Sequence, residues 1–243
     1  MQHGEGLGVV GVLGGMGPLA TIDFMHKMLK ATPAASDQEH VPVVVSSIPQ
    51  VADRTAAFRG EGASPLAAMV ASGRRLVEAG AGLVVMPCNT AHLWWDELGP
   101  ALGLPMLHLV DAALAEVVDR AGAGARVGLL ATDATIASGL YPNRTPPGSG
   151  LQWLLPTAGE MLQHVMPGIA AVKAGDLPTG RALLGQAADA LARRGAQALL
   201  LGCTEIPLVI DADSAPLPVI DATGALARRA VAWSLAQRAP LAA

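Results

Sequence analysis

The amino-acid sequence predicts an α/β fold of two pseudo-symmetric lobes, each a mainly parallel sheet flanked by helices, with the functional site between the lobes. Three observations carry this expectation. Short runs rich in Val, Ile and Leu alternate with stretches of helical spacing. The 243 residues suffice for one large α/β unit or two modest cores. Parts of the first half also reappear, in the same order, in the second.

Taken in order, the apolar runs at residues 9–13, 41–45, 83–86 and 106–110, then 127–130, 151–155, 198–201 and 217–220, read as strands buried on both faces. Helical spacing occupies residues 19–29, 66–78, 112–121, 159–173 and 181–194, with a last helix over 222–237 that returns to the first lobe. Strand followed by helix, repeated, implies a parallel sheet with helical cover. Ligands on such sheets meet the loops that leave the carboxyl ends of the strands. The internal similarity pairs the run from Val10 to Gly15 with that from Val127 to Thr132, and the loop holding Cys88 with that holding Cys203. It also pairs Val110-Asp111-Ala112 with Ile220-Asp221-Ala222. Residues 1–110 with 221–243 are therefore expected to form one lobe and residues 111–220 the other.

Composition excludes several classes of function. Hydrophobic residues make up 51% of the chain, charged ones 15%, and the net charge is −4, which offers nucleic acid no basic footprint. Every apolar run is broken before the roughly 18 to 20 residues that a bilayer span needs, so no membrane segment is expected. The first residues carry no Lys or Arg and do not read as a secretory leader, which points to the cytoplasm. Two cysteines are too few for a disulfide scaffold, and the histidines lack metal-ligand spacing, so no metal is expected.

Both cysteines follow an apolar strand and precede a turn, Asn89-Thr90-Ala91-His92 after Cys88 and Thr204-Glu205-Ile206-Pro207 after Cys203. A helix N-terminus at such a turn favours the thiolate. The pair is open to three readings: acid–base catalysis, a redox disulfide, or inert packing. Two thiols in equivalent loops suit inversion of a stereocentre, one removing the Cα proton and the other returning one to the opposite face. The intermediate then needs hydrogen-bond donors at its carboxylate, and Asn89, Thr90 and Thr204 stand where such donors are required, unless they only cap turns. The loop Gly14-Gly15-Met16-Gly17-Pro18 after the first strand suits the close approach of a small carboxylate and makes Met16 a substrate-binding candidate. It lacks the Lys-Ser/Thr ending of a nucleotide loop, and the Gly-x-Gly-x-x-Gly at Gly6 to Gly11 enters a strand, so no dinucleotide cofactor is expected. His92, four positions after Cys88, reads as a supporting polar contact rather than a base. Spacing alone does not single out Arg54 or Lys173.

Together, the segments from Gly14 to Thr21, Met86 to His92 and Leu201 to Pro207 resemble the aspartate/glutamate racemase family, most of all its aspartate racemase branch. The resemblance spans nearly the whole chain. It implies a cofactor-independent amino-acid racemase, with aspartate ahead of glutamate as substrate, usually assembled as a homodimer. It also implies that Cys88 and Cys203 are the acid and base, that Asn89, Thr90 and Thr204 hold the α-carboxylate or ammonium, and that Arg54 and Lys173 receive an acidic side chain. Ala52 and the Pro/Gly-rich stretch at 141–150 depart from the family pattern. Two rival functions fit the same residues: a lyase or isomerase of a small diacid using one cysteine as nucleophile, and a non-catalytic binding protein for an acidic metabolite.

Overall fold

The computed structural model describes residues 8–238; the stretch read for a leader and the first part of the glycine pattern at Gly6 lie outside the described residues. The chain forms two compact units, one from the segment up to Leu109 joined by the segment from Leu226, the other Val110–Ala225.

In the first unit, β1 (Val10–Gly14) leads through the Gly15 to Gly17 loop into α1 (Pro18–Ala31). Pro18 begins that helix, where its missing N–H costs nothing. β2 (Val43–Ser47), α2 (Arg54–Phe58), α3 (Leu66–Glu78), β3 (Leu83–Val85), α4 (Trp95–Leu102) and β4 (Met106–Leu107) follow. All pairings are parallel, in the order β2-β1-β3-β4, with Val12 in register with both Val45 and Val85. β1 and β3 are fully buried, as continuous apolar runs require. β2 departs from the expectation of two buried faces. It is an edge strand, and Val45 is exposed. The strand expected at 106–110 is also shorter, because the chain already turns at Leu109 into α5 (Leu109–Ala121). Leu109 and Val110 are buried as helical residues, so their hydrophobicity reported burial and not strand.

The second unit repeats the plan. β5 (Arg126–Ala131), α6 (Asp133–Ala137), β6 (Gln152–Leu154), α7 (Ala158–Glu160), α8 (Met166–Lys173), α9 (Leu177–Arg193), β7 (Ala198–Gly202) and β8 (Val219–Asp221) precede α10 (Ala222–Gln237). The sheet order β6-β5-β7-β8 is that of the first sheet, again all parallel. The internal similarity thus falls on strands of equal rank, β1 with β5 and β3 with β7. The helix expected over 159–173 is broken into α7, a π turn over Met161–Val165, and α8. Pro167 has no N–H to pass back to the preceding turn, and the wider turn absorbs the lost bond. α9 starts earlier than the periodicity suggested because the Asp176 carboxylate caps it at the Thr179 N–H, 3.1 Å away. α10 is shared, its residues to Ala225 grouping with the second unit and those from Leu226 with the first. No helix among the described residues is long and apolar enough to cross a membrane.

Candidate active site

In the first unit, Cys88 lies three residues beyond β3, its N–H turned back to the Met86 carbonyl at 2.8 Å. Asn89 leads into a 3-10 turn over Thr90–Trp94. Cys88, Asn89 and Thr90 are all buried, and Cys88 shares an apolar cluster with Met16 and Val51. The Met16 side chain is therefore packed into the core with the sulfur. The loop that carries Met16 is fixed by Thr21, whose hydroxyl accepts the Gly15 N–H and donates to the Gly17 carbonyl, both at 2.9 Å.

His92 holds the Cys88 loop in place. Its Nε2 accepts the backbone N–H of Leu109 at 3.1 Å, so that nitrogen carries no proton. Nδ1 must then be the protonated nitrogen, and it donates to the Cys88 carbonyl at 2.8 Å. The ring stacks on Trp95 and lies 4.5 Å from the His108 ring, centroid to centroid. With both nitrogens on backbone partners, His92 orients the loop and has no lone pair left to draw a proton from the thiol.

Arg54 opens α2, a helix that packs against the Thr90–Trp94 turn and is capped by Asp53, whose carboxylate accepts the Ala56 N–H at 2.8 Å. The guanidinium is largely buried and anchored through one nitrogen, Nη1 donating to the Val51 and Ala52 carbonyls at 3.2 and 3.1 Å. Nε and Nη2 make no hydrogen bond to the described residues and remain available to a carboxylate.

In the second unit, Cys203 follows β7 directly, with Thr204 and Glu205 leading into a 3-10 turn over Ile206–Leu208. Cys203, Thr204 and Glu205 are all buried. The thiol donates to Glu205 Oε2 at 3.1 Å, and the Thr204 hydroxyl donates to the same oxygen at 3.3 Å. The Tyr141 ring lies over Gly202, where an added Cβ would sit 3.1 Å from it. Lys173 is the last residue of α8, which packs against the Ile206–Leu208 turn, and its side chain is exposed.

The expectation that a helix N-terminus favours the thiolate is corrected at Cys203. Burial pushes this thiol well above the usual cysteine range, and the Glu205 carboxylate pushes it further, against weaker opposing pulls from the Glu205 backbone N–H and the Lys173 cation. The turn that follows is a three-residue 3-10 turn, too short to supply a helical field. Cys88 and Cys203 are both free thiols.

The architecture agrees with known proteins. A family model described as Asp/Glu/Hydantoin racemase matches residues 13–230. The chain belongs to that racemase family. Its structure is similar to that of the aspartate racemase of Picrophilus torridus, at a TM-score of 0.84 and 32% identity, covering 93% of this chain and 94% of that one. It is 28% identical over 234 residues to the broad specificity amino-acid racemase of Bacillus subtilis (strain 168), covering 94% of this chain and 99% of the relative. The fold is shared with an aspartate racemase homologue from Pyrococcus horikoshii OT3, at a TM-score of 0.71 and 22% identity. As a member of the racemase family, the chain is an isomerase.

Two residues of this candidate site carry contacts that sequence reasoning did not assign. Glu205 was visible only as part of the motif after Cys203, and a charged side chain ordinarily signals exposure. The apolar run from Ile206 to Ile210 was the available sign that this turn is buried. Tyr141 opens the Pro/Gly-rich stretch, a place where a fully buried ring is not expected.

Proposed function

We propose that this protein is a cofactor-independent amino-acid racemase, acting on aspartate ahead of glutamate, in which Cys88 and Cys203 are the proton-transferring residues. One observation carries the reading: each unit holds a buried cysteine just past the third strand of an identically ordered parallel sheet. In this scheme one thiolate takes the Cα proton, leaving a planar, enolate-like intermediate, and the other thiol delivers a proton to the opposite face. The S–H bond formed on one side and the one broken on the other leave the enzyme in the mirror protonation state, ready for the reverse reaction. Asn89, Thr90 and Thr204 serve the α-carboxylate or ammonium; Thr204, whose hydroxyl proton is given to Glu205, is left to accept from the ammonium, and charge on the developing enolate is held by the donors of Asn89 and Thr90. The free Nε and Nη2 of Arg54 support recognition of a second carboxylate, with Lys173 as a further point charge. A homodimer in the cytoplasm belongs to the same reading, and light scattering tests the assembly.

Incubating single enantiomers of the amino acids in deuterated water, followed by chiral chromatography and mass spectrometry, tests the proposal. Aspartate should racemise fastest, and product should carry deuterium at Cα. Alanine at position 88 or 203 should each lower the rate by roughly 10³-fold or more. Full turnover in either variant, or product without deuterium, contradicts the two-base scheme.

A further inference from the structure

Glu205 is the only acidic side chain among the described residues that is buried, at 4% exposure. Its Oε2 accepts hydrogen bonds from both Cys203 and Thr204, while Oε1 is buried with no hydrogen-bond partner among the described residues. A carboxylate kept out of water with half its lone pairs unused is costly. The Cys203 side chain packs in an apolar cluster with Val165, Ile169 and Ile206, which offers no compensating charge. The other ionisable groups acting here are Lys173 at the end of α8 and Tyr141, which in turn feels Asp221 at the end of β8.

A thiolate and a carboxylate 3.1 Å apart in such surroundings strongly oppose each other's charge, so the proton that one of them holds is favoured by the other. Racemisation in both directions nevertheless requires the sulfur to be alternately thiol and thiolate. We propose that Cys203 and Glu205 hold one proton between them, Glu205 being a positioning residue that keeps the sulfur in its proton-donating form and receives that proton when the sulfur becomes the base. In the exchange the S–H bond breaks with its electron pair staying on sulfur, and an O–H bond forms at Oε2. This internal exchange leaves the pair with one negative charge, which changes by one only when a proton passes between the sulfur and Cα. The role in turnover rests on the racemase reading above, whereas the shared proton rests on the Cys203–Glu205 geometry alone.

The test uses the intact protein and iodoacetamide, with alkylation of each cysteine followed by peptide mass spectrometry across pH. In Glu205→Gln the pH midpoint for Cys203 should fall by about one unit, because the neighbouring charge is gone, while that of Cys88 in the same sample stays in place. Glu205→Asp, with the carboxylate drawn back by one methylene, should give an intermediate midpoint. Faster labelling at every pH with an unmoved midpoint would mean a structural role only and overturn the proposal. In the wild type, Cys203 should label with a higher midpoint when folded than in urea, and equal midpoints would also overturn it, even if no variant folds. The pH profile of kcat/KM for aspartate should shift downward with the thiol in Glu205→Gln, kcat falling about tenfold with KM nearly constant. If the wild type racemises no amino acid, the racemase reading fails, and the labelling midpoints still decide the shared proton.

Discussion

At Cys203 the protonation state is linked to folding. In an unfolded chain a cysteine loses its proton near pH 8.5, whereas burial and the Glu205 carboxylate keep the folded thiol protonated well beyond that. Because the folded value is raised, the linked stability is fully present below about pH 8.5 and is lost as pH rises toward the folded value, at up to about 1.4 kcal/mol per unit. Tyr141, raised by its burial and by Asp221 and Cys203, adds a second decline above about pH 10. Urea unfolding between pH 7 and 11 should show both declines, and Cys203→Ala should remove only the first. An undiminished decline from pH 8.5 in that variant would contradict the assignment. The cysteines themselves were legible, since a thiol closing a buried apolar run at a turn is a local pattern. His92 was legible as a supporting polar contact, but its Nε2 partner was not, because Leu109 lies 17 residues further on.

Among the elements, the β1 to α1 loop shows how a glycine can be fixed by its neighbours. Gly15 has φ +88, and an added Cβ would sit 2.4 Å from the Ile48 backbone nitrogen, just past β2. Gly15→Ala should cost roughly 2–4 kcal/mol, adding a backbone collision to a left-handed conformation. Gly60, at φ +74 with nothing within 4 Å of an added Cβ, supplies the control, and Gly60→Ala should cost only about 1–2 kcal/mol. Equal losses in thermal or urea unfolding would show that the contact with Ile48 adds nothing. Helices and central strands were readable from periodicity and apolar content. Edge position and strand length were not, as β2 and β4 show, because Val45 and Val110 read alike in sequence while one meets water and the other begins a helix.

For the molecule as a whole, continuity of the chain distinguishes the two units. All four strands of the second sheet lie within Val110–Ala225, so that fragment expressed alone should unfold cooperatively in circular dichroism. The first unit draws on the segment from Leu226. Ser234 donates to the Gly8 carbonyl at 2.6 Å, Arg238 to the Glu39 carbonyl at 2.7 Å, and Leu226, Ala227 and Ala230 are fully buried. Truncation after Ala225 should therefore abolish cooperative unfolding of the first unit while sparing the second, and a truncated chain that retained both transitions would contradict this. The unit boundary falls at Ala225 within α10, and Ala222, Thr223 and Ala225 are buried in the part of that helix that groups with the second unit. On the ribosome this arrangement reverses the order of completion. The strands made first must wait, with part of their apolar surface uncovered, until the polypeptide that covers it emerges more than a hundred residues later, so the middle of the gene product matures before its beginning.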